Sequence, residues 1–228
     1  MITFEHVSKA FDSLEVLSDL SFHIATGEIV GIVGPSGSGK TTILKLITRI
    51  LVPDAGTVTV APGTLGYVFQ EPRLLPWRTA LDNVAAPLRA QGRTTSEARE
   101  TAGRWLERVE LDGFEGYHPA ELSGGMAQRV SIARAFAVEP RILLMDEPFS
   151  NVDVTLKGAL MDILESIIRE REPTVVYVTH ELTEALRFAD RIVELTPDHG
   201  LREVDLGDRA AVAREWMRRT LGDLAGRW

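Results

Sequence analysis

Apolar and polar positions change rhythm along this chain of 228 residues, and each change predicts a different kind of element. Near the start Ile2 and Phe4, then Leu20, Phe22 and Ile24, alternate with polar neighbours, the period-two pattern of half-buried strands. An antiparallel β layer is expected there. From Ile29 the alternation gives way to continuous apolar runs over 29–33, 142–145, 174–179 and 191–195, which suit strands covered on both faces of a parallel sheet. A helix-like run over 42–51 follows the first of them, and a strand over 65–69 precedes a middle stretch without strand signals. Within that stretch Thr94, Thr95, Ser96 and Glu97 read as a capping box ahead of Ala98, Ala102, Trp105, Leu106 and Val109 at helical spacing. A helical subdomain, about 72–138, is therefore expected as an insertion in an α/β core. After Gly207, Val212, Trp216, Leu221 and Leu224 stand among Arg214, Arg218 and Arg219, which predicts an amphipathic C-terminal helix over about 207–228 that docks on its own domain. One domain over 1–228 is the expected organisation.

Composition narrows the class. With 44% hydrophobic and 25% charged residues the chain can bury a single large core. Its most apolar stretch, 43–52, is broken by Lys45 and Arg49, and Glu5 and Lys9 interrupt the N-terminus, so a soluble, non-exported chain is expected. Zero cysteines exclude disulfides, thiol catalysis and Cys-based zinc sites. A net charge of −8 argues against an extended nucleic-acid surface, which needs a basic footprint, and no nucleic-acid partner is expected.

The chemistry is concentrated in three short motifs. Residues 34–41 read Gly-Pro-Ser-Gly-Ser-Gly-Lys-Thr, a G-x-x-x-x-G-K-[ST] loop between an apolar strand and a helix. Gly37 and Gly39 can take φ > 0 and let backbone N–H groups converge on phosphate oxygens, while Lys40 adds a point charge for the β and γ phosphates. The Thr41 hydroxyl suits a Mg²⁺ shell, so ATP and Mg²⁺ are the expected cofactors. Gly34, Ser36, Gly37, Ser38, Gly39, Lys40, Thr41 and Thr42 are the candidate nucleotide contacts. The second motif is the apolar run 142–145 ending in Asp146 and Glu147, acids delivered at the C-terminal edge of a strand, where α/β sheets bind ligands. Asp146 is expected to hold Mg²⁺ and Glu147 to act as general base. The third is Leu122-Ser123-Gly124-Gly125, a turn opening a helix and so a second anion-binding N-terminus.

Taken in order, the phosphate loop, Gln70, the Leu-Ser-Gly-Gly turn, Asp146-Glu147 and His180 resemble the ATP-binding cassette (ABC) ATPases, the nucleotide-binding subunits of ABC transporters, over essentially the whole chain. The resemblance implies a P-loop NTPase (RecA-like) core with a parallel sheet, an antiparallel β subdomain and an inserted helical subdomain. It implies that Phe11 stacks on adenine with Val16 packed beside it, that Gln70 reaches Mg²⁺ and the attacking water, that Ser123, Gly124 and Gly125 contact ATP across a dimer, that Asp153 is the acid of the Asn151-Val152-Asp153 loop, and that His180 contacts the γ-phosphate. Two positions depart from the pattern. Met126 stands where the family usually has Gln, which points to tuned rather than abolished activity, and the segment 56–70 is short, with Pro62-Gly63 read as closing a tight turn.

The stretch from Phe69 to Trp77, followed by Leu81-Asp82-Asn83-Val84, is similar to the ATPase subunits of nitrate, sulfonate and taurine-type importers, a group that includes uptake systems for vitamin precursors. That branch implies transmembrane permease subunits, a second ATPase subunit forming a head-to-tail dimer, a separate solute-binding protein and a place on the cytoplasmic face of the plasma membrane. Two other classes compete. A non-transport ABC ATPase for DNA repair or translation typically carries coiled-coil insertions or two cassettes in one chain, and this chain has neither. A P-loop kinase has no reason to own the Leu-Ser-Gly-Gly turn or the His180 switch.

Overall fold

A computed structural model describes residues 1–196 and 199–216. In chain order its elements are β1 (Ile2–Phe11), β2 (Leu14–Ile24), β3 (Ile29–Val33), α1 (Lys40–Ile47), β4 (Ala55–Val60), β5 (Leu65–Val68), α2 (Ala80–Ala90), α3 (Thr95–Arg108), α4 (Gly124–Ala137), β6 (Ile142–Asp146), α5 (Val154–Arg171), β7 (Thr174–Thr179), α6 (Leu182–Phe188), β8 (Arg191–Leu195) and β9 (Leu201–Val204). They fall into two compact units. One comprises residues 1–61 with the described residues from Val176 onward, and the other residues 62–175, so the chain passes between units within β7.

In the first unit the alternating residues of β1 and β2 build the expected antiparallel layer, in the order β2-β1-β4. The register sets Phe4 opposite Phe22, and their rings stack at 4.5 Å. Pairing like this, of apolar residues on one face, is what fixes strand register. β3 lies parallel to β8, with Val30 opposite Arg191, and β9 returns antiparallel along β8. The sequence pattern did not show β9, because Leu201-Arg202-Glu203-Val204 carries too few apolar residues to read as a strand. Helix α1 ends at Ile47 and not at residue 51: Arg49 takes a left-handed φ of 59°, Leu51 N donates back to Lys45 O at 3.1 Å, and Ile50 and Val52 are left exposed. Such a left-handed closure satisfies carbonyls at a helix C-terminus and stops propagation, even in an apolar run. Residues 209–216 are helical, and the Arg209 guanidinium donates to the Leu186 and Ala189 carbonyls. The remainder of the expected C-terminal helix, with Arg218, Arg219, Leu221 and Leu224, lies outside the described residues.

In the second unit β5 pairs in parallel with β6, Val68 opposite Met145. Helices α2, α3 and α4 pack together, with Trp105 stacked on Phe136 at 5.8 Å. The predicted capping box is present, Thr94 Oγ1 accepting from Glu97 N and Glu97 returning the bond to Thr94 N. α4 crosses β5 at close range: a Cβ on Gly66 would fall 2.6 Å from the Ala135 carbonyl. This contact seats α4 against the strand that leads to Gln70. Since β4 pairs with β1 and β5 with β6, Pro62-Gly63 links the two units and does not close a hairpin.

Candidate nucleotide-binding site

β3 delivers the chain to the phosphate loop, and α1 starts directly after it with Gly39 as N-cap. Gly39 has φ 104°, and a Cβ there would meet Val16 Cγ1 at 2.6 Å, so both conformation and space demand glycine. Val16 is buried against the loop it supports. Gly37, at φ 80°, has open space around its Cα and needs glycine for conformation alone. No side chain caps α1 and no acid sits in its first turn, which leaves its N-terminal field to an incoming anion. Lys40 is buried, and its Nζ donates to the Gly34 and Pro35 carbonyls at 2.9 and 2.7 Å, so the ammonium bends over its own loop. Ser38 Oγ is buried without a hydrogen-bond partner among the described residues. An orphaned buried hydroxyl costs about 1–3 kcal/mol, a cost relieved once a phosphate oxygen comes within reach. Phe11 closes β1 with its ring 43% exposed, Lys9 Nζ 5.6 Å from the ring centre. His180 follows the last residue of β7 and is exposed. Behind it the buried Glu184 carboxylate accepts from both Tyr177 Oη and Thr179 Oγ1, and Thr179 Oγ1 accepts from Glu181 N. Glu184 thus anchors the turn carrying His180.

The second unit holds the acids. Asp146 is buried at the end of β6 and accepts from Tyr67 Oη at 3.3 Å. Burial first, and then the Asp146 charge, push the Tyr67 hydroxyl well above its ordinary range, so it remains a donor. Glu147 reverses the chain with a left-handed φ of 43°, held by Ser150 N and Oγ on its carbonyl. Backbone strain of this kind is retained where it aims a side chain. Gln70 is exposed just beyond β5, and its carbonyl accepts from Asn151 Nδ2 at 3.4 Å. Asp153 caps α5, Oδ1 accepting from Thr155 Oγ1 and Thr155 N, and these bonds hold its carboxyl below the usual range. Ser123 caps α4 by accepting from Met126 N at 3.3 Å. Gly124 and Gly125 occupy the first turn of α4, where an added Cβ would meet nothing closer than 3.8 and 3.4 Å. Tyr67, Gln128, Arg134 and Glu184 were not singled out from the sequence, and Asn83 entered only as part of the Leu81-Asp82-Asn83-Val84 resemblance. The available signal was weak: polar residues, such as Gln128 on α4, at positions that turn out buried.

Residues 17–150 of the chain, more than half of it, match the ABC transporter family. The chain belongs to that family. It is an ATP-binding, ATP-hydrolysing cassette. Among curated proteins it is 42% identical over 210 residues to the formylaminopyrimidine import ATP-binding protein ThiZ of Halalkalibacterium halodurans, covering 90% of this chain and 84% of that one. It is 44% identical over 207 residues to the aliphatic sulfonates import ATP-binding protein SsuB 1 of Nocardia farcinica, covering 91% and 82%. Against the taurine import ATP-binding protein TauB of Yersinia pestis it is 41% identical over 191 residues, covering 81% and 75%. Among solved structures it is similar to the dimeric post-hydrolysis state of the ATP-binding cassette MJ0796 bound to ADP and Pi, with a TM-score of 0.80, 35% identity, and 90% and 99% of the two chains covered. The cassette has the P-loop ABC fold expected from its motifs. No helix among the described residues is long and apolar enough to cross a membrane.

Proposed function

We propose that this cassette energises an importer of the nitrate, sulfonate and taurine type, or of vitamin precursors, by working as a head-to-tail ATP-sandwich dimer beneath a permease on the cytoplasmic face of the membrane. The import names of ThiZ, SsuB and TauB support the branch, and the dimeric MJ0796 cassette supports the assembly. A separate solute-binding protein completes the proposed system.

The observation that carries the sandwich is the contrast in glycine use. Gly39 is required by its own chain, whereas nothing among the described residues requires Gly124 or Gly125: neither has a positive φ and each has room for a Cβ. Glycine in a helix is up to about 1 kcal/mol less favourable than alanine. Bare backbone at the start of α4 is therefore kept for a body outside the chain, and at an uncharged helix N-terminus that body is an anion. The partner's bound ATP is the ligand we assign to it, with Ser123, Gly124 and Gly125 as contacts.

In this reading the backbone of the loop from Gly34 to Gly39, the Ser36, Ser38 and Thr42 side chains and Lys40 bind the phosphates, and Phe11 stacks on adenine beside Val16. Leaving its two loop carbonyls for the β and γ phosphates, Lys40 exchanges a local role for a catalytic one. Thr41, Gln70 and Asp146 each offer an oxygen that would suit Mg²⁺, which would supply charge neutralisation at the phosphates. Glu147 takes the proton of the attacking water, His180 donates to the γ-phosphate, Gln70 orients the water, and Asp153 sets the start of α5 at the dimer contact.

The test combines two substitutions. Glu147→Gln keeps shape and removes the proton acceptor, so hydrolysis should fall at least about a hundredfold and ATP with Mg²⁺ should accumulate a dimer visible by size-exclusion chromatography with light scattering. Wild-type protein, and the variant with ADP, should run as monomer. Adding Ser123→Arg should abolish that dimer. Wild-type turnover in Glu147→Gln removes Glu147 from its role, and a double variant that still dimerises with ATP sinks the sandwich.

A further inference from the structure

The segment from Phe69 to Thr79 has no regular secondary structure, yet it is pinned more densely than a surface loop requires. Gln128 Nε2 on α4 donates to the Phe69 carbonyl at 3.2 Å. Two turns further along the same helix, Arg134 donates from Nη2 to the Pro72 carbonyl at 2.7 Å and from Nη1 to the Arg73 carbonyl at 2.9 Å. Downstream, Asn83 is fully buried: its Oδ1 accepts from Leu75 N at 2.7 Å and its Nδ2 reaches the carbonyls of Leu75, Arg78 and Thr79. Between these pins Trp77 stands 70% exposed.

Arg134 is the unusual pin. Burial lowers the pKa of its guanidinium, and among the described residues no carboxylate pairs with it; its partners are the two carbonyls and Ser131 Oγ. A desolvated cation is costly unless its donors are used, and here the fork is spent on main chain. The main chain in turn is bent to meet it. Arg73 adopts a left-handed φ of 46°, a conformation unfavourable for any residue with a Cβ, and that breaks the alternation of extended chain so that successive carbonyls can face one helix. The Arg73 side chain lies 4.8 Å over the Phe69 ring, itself stacked on Tyr67 at 4.1 Å. Strain at Arg73 and desolvation at Arg134 are each unfavourable, and the hydrogen bonds from the guanidinium to the Pro72 and Arg73 carbonyls offset both.

We propose that Arg134 is a positioning residue that clamps the Gln70–Trp77 segment to the signature helix α4, so that helix and segment move as one rigid body and Trp77 is presented in a fixed orientation. Its use in transport rests on the proposed permease, which we take the exposed Trp77 to face. The clamp needs no partner of particular sequence, because a guanidinium on two carbonyls recognises backbone geometry alone.

Native-state hydrogen exchange on the full chain without nucleotide tests the clamp apart from that reading. The reporters are the Leu75 amide, bonded to Asn83 Oδ1 on α2, and the Arg78 amide, bonded to the Leu75 carbonyl; the controls are the Val109 and Leu111 amides, bonded elsewhere in the helical region. Arg134→Gln should raise reporter exchange at least tenfold, the equivalent of one charge-assisted hydrogen bond, with the controls unchanged. Arg134→Lys, which keeps the charge and stem but not the fork, should fall between wild type and Arg134→Gln, and serves if the glutamine variant does not fold. In reconstituted transporter both Arg134 variants should lose stimulation of ATPase activity by the permease. Trp77→Ala should lose that stimulation with the reporters still protected, which separates docking from clamping. Reporter exchange within twofold of wild type in both Arg134 variants overturns the proposal, as does an equal rise at the controls, which would make Arg134 a general stabiliser of the helices.

Discussion

The two helix N-termini that we propose contact ATP, at α1 and at α4, are built oppositely. At α1 the glycines are dictated from within: Gly39 lies against Val16, no side chain caps the helix, and Lys40 covers the loop carbonyls. At α4 the helix is self-sufficient, with Ser123 accepting from Met126 N and glycines its own chain does not require. The first site carries unsatisfied capacity inside the chain, and the second carries unexplained bareness on its outside. A site that binds its ligand within one subunit can hold its polar groups poised at a small stability cost. One that meets its ligand only across an interface, as proposed for α4, has to be satisfied without it, and the start of α4 is capped by its own Ser123.

The largest effect that would break this contrast is on Lys40. Lys40→Ala removes the loop's fixed charge and should lower ATP turnover by on the order of 3 kcal/mol in the transition state, more than a hundredfold, while weakening ATP binding in a filter or fluorescence assay. Near wild-type turnover would mean the loop is not the catalytic phosphate site. Next come the glycines. Gly39→Ala should abolish nucleotide binding and lower the melting temperature through its contact with Val16, whereas Gly125→Ala should leave the isolated chain as stable as wild type or more so and impair only ATP-dependent dimerisation. A Gly125→Ala protein that melts markedly early would show an internal demand for that glycine.

The serines sharpen the comparison further. Ser123→Ala removes a cap and should cost about 1 kcal/mol in thermal unfolding without ligand, and Ser38→Ala, whose hydroxyl is an orphan, should cost nothing or stabilise while weakening ATP binding. Equal losses in the two variants would remove the distinction. The smallest effect is expected at Met126: Met126→Gln should change turnover by less than about tenfold, because the glycine backbone supplies the main phosphate contacts in the proposed sandwich. A hundredfold change would give that side chain a larger part.

What the sequence made legible follows the same division. The phosphate loop could be read because its backbone demands glycine at fixed spacing, Asp146-Glu147 and the Leu-Ser-Gly-Gly turn stood out by their order along the chain, and the apolar runs of β3, β6, β7 and β8 could be read because burial on both faces leaves a continuous pattern. Arg134 and Gln128 could not, since the partners that matter are main-chain carbonyls, which every residue offers and no pattern marks. Tyr67 beside Asp146 was hidden for a different reason: on a short strand an aromatic reads as core, and only the fold shows its hydroxyl reaching an acid. The early end of α1 depended on a left-handed Arg49, a conformation that residue type does not announce.

The parallel pairing of Val30 with Arg191 carries a temporal consequence. β3 emerges early from the ribosome, but one of its two neighbours in the sheet, β8, is made only after every residue of the second unit. Closing so long a stretch of chain is slow, and an unpaired apolar strand is open to wrong partners meanwhile. Nascent chains released before Leu195 should therefore leave one edge of β3 unpaired, so the strand that supports the loop is completed only late in synthesis.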